Sequence, residues 1–110
     1  MCEFRILVSE PGKGESLVTE DISYLEVQGD GSVILRGLGI QDKIDNAIIK
    51  EVNTYAEEGA TAKLVKAPII GEFIKFLKIL EEGTYTPELE KQWNEFISIG
   101  TKFISNLKSI

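Results

Sequence analysis

Histidine is missing altogether, and cysteine, methionine and tryptophan occur once each. Without histidine, Ser9, Ser16, Ser23 and Ser32 belong to no recognisable nucleophilic constellation, which leaves hydrolysis without support. A single cysteine cannot close an internal disulfide, and that is compatible with a reducing cytoplasm. No long uncharged apolar run is present, so a membrane span is not expected. No basic leader precedes an apolar core, so the expected location is the cytoplasm. Positive charge is also short. The formal net charge is -6, with the acidic excess concentrated before Ile40, whereas a general nucleic-acid binder shows a positive footprint. No glycine- and serine-rich linker, repeat or low-complexity tract divides the chain. The glycines of Glu10-Pro-Gly-Lys-Gly-Glu15 lack the Gly-x-x-x-x-Gly-Lys-Ser/Thr spacing of a phosphate-binding loop and read as a turn.

What is present indicates a folded chain. Apolar residues make up 43% of 110 positions, enough for a modest core in one compact domain, 1–110. Within it, 1–66 reads as a β-rich α+β part and 67–110 as a helical hairpin. Phe4, Ile6 and Val8 alternate in an opening strand from Glu3 to Ser9, and Ser16 to Thr19 reads as a second. Asp21 falls in a turn, Ile22, Leu25 and Val27 return to the sheet, and Gly29-Asp-Gly31 makes a hairpin turn into Ser32–Arg36. After the Gly37-Leu-Gly39 turn, Ile40, Ile44, Ala47, Ile48, Val52, Tyr55 and Ala56 recur at helical spacing. They predict a central helix from about Gln41 to Glu57, with Asp42 in its first turn and Gly59 at its end. A competing reading splits this stretch into strands at Lys43–Asp45 and Ala47–Thr54, because Ile48, Ile49 and Val52 suit either state. A strand follows at Thr61–Lys66.

Pro68 and Pro87 each suit the first position of a helix, and Thr86 can cap the second. The first helix carries Ile69, Ile70, Phe73, Ile74, Phe76, Leu77, Ile79 and Leu80. The second carries Leu89, Trp93, Phe96, Ile97, Phe103, Ile104 and Leu107. Faces this wide imply burial against a sheet, another helix or a second subunit. The expected fold is thus α+β: a small antiparallel β-rich N-terminal half, a central helix and following strand, and a C-terminal helical hairpin. Phe73, Phe76, Leu77, Leu80, Trp93, Phe96, Phe103 and Leu107 are the candidate interface of a homodimer or of a contact with another protein.

Candidate chemistry is sparse. Asp42 and Asp45 would approach one another on a helix, and Glu20 with Asp21 could join another segment, but the ordinary reading of each pair is a solvated face or a cap. Glu57-Glu58 and Glu81-Glu82 read as helix-end surfaces. No catalytic residue is assigned, and the chain reads as a non-enzymatic factor. Cys2 is the one candidate metal ligand. Removal of Met1 would expose its amine beside its thiolate, and two symmetry-related termini would offer four nitrogen and sulfur donors, a set compatible with nickel. Taken alone, one cysteine reads as inert.

The opening resembles the small CooT-like nickel-binding proteins, also described as predicted RNA-binding proteins. The resembling pieces are Met1-Cys2, Phe4 to Val8, Leu17-Val-Thr-Glu-Asp21-Ile22, Leu25-Glu-Val27-Gln-Gly29-Asp and Val33-Ile-Leu35, within about Met1 to Leu38. The resemblance implies a compact β-rich homodimer with Cys2 contributing to nickel binding at the dimer interface. That family continues with a glycine-acidic turn and two further strands, where the periodicity here reads a helix. A shorter passage, Val33-Ile-Leu-Arg-Gly37 with Ile40, Lys43 and Ile44-Asp45-Asn46-Ala47, resembles the strand-to-helix passage of Alba-like nucleic-acid-binding proteins and makes RNA or DNA binding the alternative function.

Overall fold

The computed structural model describes residues 3–55, 57 and 59–109. Seven strands come first: β1 (Phe4–Glu10), β2 (Gly14–Ile22), β3 (Tyr24–Val27), β4 (Ser32–Gly37), β5 (Ile40–Asp45), β6 (Ala47–Asn53) and β7 (Ala60–Lys66). Two helices follow, α1 (Pro68–Leu80) and α2 (Pro87–Lys108). The strands form a four-stranded sheet in the order β2-β1-β7-β6 and a three-stranded sheet in the order β3-β4-β5. All neighbours are antiparallel except β1 and β7, which run parallel with Phe4 opposite Ala60 and Val8 opposite Leu64.

The inward side chains of the two sheets share one core. Ile6, Ile22, Val33, Leu35, Ala47, Ala62 and Leu64 are fully buried, and Val8 and Ile44 nearly so. Burying a side chain of the size of Ile or Leu contributes roughly 1.5–3 kcal/mol. The alternation read in β1 holds: Ile6 and Val8 face this core, while Leu7 is half-buried on the other face.

Two corners carry the chain between the sheets. At the first, β2 is bulged against β1, with Phe4 opposite Ile22 but Ile6 opposite Thr19, and Asp21 adopts a left-handed φ of 60°. The Asp21 carbonyl lies where a Cβ on Gly37 would stand, so glycine lets β4 pass beneath it. Asp21 therefore sits in a kink within a strand, not in a turn between strands. At the second corner Asn46 alone, φ 58°, joins β5 of one sheet to β6 of the other. Asparagine tolerates this conformation better than most residues. The Ala47 N–H donates to the Gly31 carbonyl at 3.2 Å, and the Ala67 N–H to the Asn46 carbonyl at 2.9 Å.

The expected central helix is absent: residues 40–53 form β5 and β6, and both helices lie at the C-terminus. The helical periodicity has a structural cause. Asp42 takes the register position opposite Leu35, between Ile40 and Ile44, so the apolar residues of β5 fall four apart. The corner at Asn46 then shifts the inward phase, and a register shift between Ile49 and Glu51 shifts it again, placing Val52 opposite the buried Ala62. A period of two, interrupted twice, imitates 3.6. Gly59 accordingly ends no helix but precedes β7, with φ 105°.

The hairpin at Pro68 and Pro87 is as the prolines indicate. Gly71 and Ile74 of α1 are buried, with Gly71 against Asn46 and Gly31. The Leu89 N–H donates to Thr86 Oγ1 at 3.2 Å, and Glu88 and Glu90 occupy the first turn of α2, where carboxylates suit the helix dipole. α2 runs back along α1, bringing Gly100 to Ile69, Phe96 to Phe73 at 5.8 Å between ring centres, and Trp93 to Phe76 at 5.4 Å.

Candidate functional site

Cys2, the one candidate metal ligand, lies outside the described residues. The strand it precedes in sequence is held on both sides, since Phe4 pairs with Ile22 of β2 and with Ala60 of β7. Among the described residues no group of three or more histidine, cysteine, aspartate or glutamate side chains gathers as a metal cage. The carboxylate pairs read from the sequence do not assemble. Asp42 and Asp45 stand three apart on β5 and so face opposite sides of the sheet, and Asp42 accepts the N–H of its neighbour Lys43 at 2.8 Å. Glu20 instead faces Arg5 across β1 and β2 at 3.5 Å. Glu57 stands in the segment between β6 and β7 rather than at a helix end, and Glu58 lies outside the described residues. Glu81 and Glu82 do follow a helix, α1.

The most developed polar cluster was not legible as one. Asp30 Oδ1 accepts the Ser32 N–H at 3.1 Å and the Ser32 hydroxyl at 2.6 Å, while Lys43 Nζ donates to Oδ2 at 2.9 Å. Ser32 is buried, and its hydroxyl is satisfied by this bond. These contacts, the Ser32 hydroxyl first and Lys43 second, hold the Asp30 carboxyl well below its usual range, at about 2. The cluster fastens the turn before β4 to β5, a structural role. On the outer face nearby, Tyr24 donates to Glu26, which also accepts from Gln28, and the Arg36 guanidinium lies 5.1 Å from the Tyr24 ring centre. The Tyr24 bond lowers the Glu26 pKa most and raises that of Tyr24.

Part of the positive charge is matched by carboxylates. Lys13, Lys43, Lys63 and Lys75 each lie within 4 Å of a carboxylate, as does Arg5. The passage that resembles Alba-like proteins is a β-hairpin, with Gly37 opposite Ile40, and no strand-to-helix passage exists there.

The candidate interface residues divide into two sets. Phe96 and Phe103 are half-buried, Phe96 against Phe73 and Phe103 beside Pro11, Asn46 and Lys66. Phe76 and Leu77 are also half-buried. Phe73, Leu80, Trp93 and Leu107 remain 41–51% exposed. Ile97 and Ile104, read only as part of the apolar stripe, are open to the same degree or more, at 46% and 56%. No helix among the described residues is long and apolar enough to cross a membrane.

Two β-sheets around one core, followed by a helical hairpin, define a small α+β protein. The chain belongs to the family described as CO dehydrogenase accessory protein CooT, whose model matches residues 1–58. The match includes Cys2 and β1 to β6 and ends before β7, so the two strands β5 and β6 replace the expected helix within the family region. The family is one of accessory proteins, not of enzymes. No curated protein and no solved structure gives a significant match.

Proposed function

We propose that this protein is a non-enzymatic accessory factor that binds nickel through Cys2. The observation that supports the reading is the family match over residues 1–58, a span that includes Cys2. In this reading the donors come from Cys2 of this chain and Cys2 of a second copy. A thiolate and an amine from each of two copies make a mixed nitrogen–sulfur set that suits nickel. Bound nickel would supply a cargo or a signal. The chain's own part is to hold the strand after Cys2 between β2 and β7. With a net charge of -6, and with five of the twelve Lys and Arg residues already paired to carboxylates, nucleic-acid binding has no comparable support.

Nickel titration of correctly processed protein, followed by calorimetry and by the thiolate-to-metal absorption band, tests the proposal. The native protein is expected to take up nickel at a fixed ratio to chain, and Cys2→Ala to lose both heat and absorption band. Equal uptake by the two proteins would remove Cys2 from the site. A tag ahead of Met1 blocks the amine and must be absent.

A further inference from the structure

We infer that the open face of the helical hairpin is a docking surface for a second copy of this chain, with the two α2 helices pairing antiparallel. The inference stands apart from the nickel reading, because the hairpin lies beyond the residues matched by the family. The two sides of the hairpin differ. On one, Gln92 Nε2 donates to the Glu72 carbonyl at 3.1 Å and to the Glu72 carboxylate at 2.8 Å, with Lys75 alongside. Away from that side, helical periodicity sets Phe73 and Leu80 on one stripe of α1 and Trp93, Ile97 and Ile104 on one stripe of α2. The edge of α2 that meets α1 centres on the buried Gly100 and the half-buried Leu89, Phe96 and Phe103, and Phe73 and Trp93 stand at its border, each with one ring contact across the hairpin.

Area and charge both select a second copy as the occupant. Half-exposed side chains of this size leave on the order of 500 Å² of apolar surface on the face. A stable dimer buries about 800 Å² on each partner, little more than half of it apolar. Along α2, Glu88, Glu90 and Glu95 fall in the N-terminal half with Lys91, whereas Lys102 and Lys108 are the only charges in the C-terminal half. An antiparallel partner therefore sets acidic half against basic half. Glu90 and Lys108 flank the same edge of the exposed stripe, five helical turns apart. A two-fold axis near Ile99 brings Glu90 of each copy to Lys108 of the other and Trp93 to the neighbourhood of Ile104. A parallel arrangement would oppose like charges instead.

Sedimentation equilibrium on the full chain across the micromolar range tests this, with circular dichroism as the check on folding. The native chain is expected at twice its chain mass in the presence of a chelator, and Cys2→Ala is expected to behave identically. The double substitution Ile97→Glu and Ile104→Glu, at positions already half open, is expected to give a folded species of single-chain mass. Glu90→Lys is expected to weaken association about tenfold, and adding Lys108→Glu to restore it. A native chain that stays monomeric throughout, a dimer untouched by the isoleucine substitutions, a dimer lost with Cys2, or a charge exchange without rescue would each overturn the inference.

Discussion

At Gly31 a left-handed φ of 90° coincides with close packing: an added Cβ would lie 2.7 Å from the Gly71 Cα and 2.8 Å from the Gly71 carbonyl oxygen. Neither backbone can yield without separating α1 from the corner at Asn46. Gly31→Ala is therefore expected to destabilise the fold by roughly 2–4 kcal/mol, read as a shift in urea midpoint at unchanged slope. The adjacent Asp30 gives a pH signature. Its folded pKa of about 2 lies below the ordinary aspartate value of 3.8. Its stabilisation is complete above the ordinary value and disappears as pH falls through about 2. Because the carboxylate is largely solvated, the effect is modest. Asp30→Asn is expected to flatten the acid limb of the urea midpoint plotted against pH, and an unchanged limb would separate this pair from acid stability. The turn was legible at this position because Asp30-Gly31 is a turn signal. The link to Lys43 was not, since it spans thirteen residues and depends on the pairing of β4 with β5.

Among the elements, the helices were the most legible, because each begins with a proline that needs no donor and carries apolar residues at an uninterrupted period. Thr86→Ala removes the cap of α2 and is expected to cost about 1 kcal/mol, measured by thermal or urea unfolding. An unchanged midpoint would mean that water replaces Thr86 Oγ1 at no cost. β1 was legible from its alternation, which Leu7 blurs, and β4 from the apolar run that follows the Asp30-Gly31 turn. β5 and β6 were not. Asp42 in a core-register position, the single-residue corner at Asn46 and the bulge at Lys50 broke the alternation at three points within one short stretch. The site followed the same division. The apolar faces of the hairpin could be read, but the division between residues spent on α1 and residues left open depends on how α2 rotates against it. That rotation is set by Gly100 meeting Ile69, a contact between segments more than thirty residues apart.

At the scale of the whole molecule, the chain joins a family-type β body to a hairpin that the family match does not cover. The seam between them is β7, last of the strands in sequence yet placed between β1 and β6 in the larger sheet. This placement bears on the order in which the protein is made. During synthesis β1 can pair with β2 as soon as both emerge, but its other edge stays open until the ribosome has delivered Lys66, because its partner there is β7 and the pairing joins Phe4 to Ala60. The larger sheet therefore closes late, through a distant parallel contact of the kind that slows folding. Until then the nascent chain presents an unpaired strand edge flanked by Ile6 and Val8, which is the form in which β proteins are most exposed to mispairing with their neighbours.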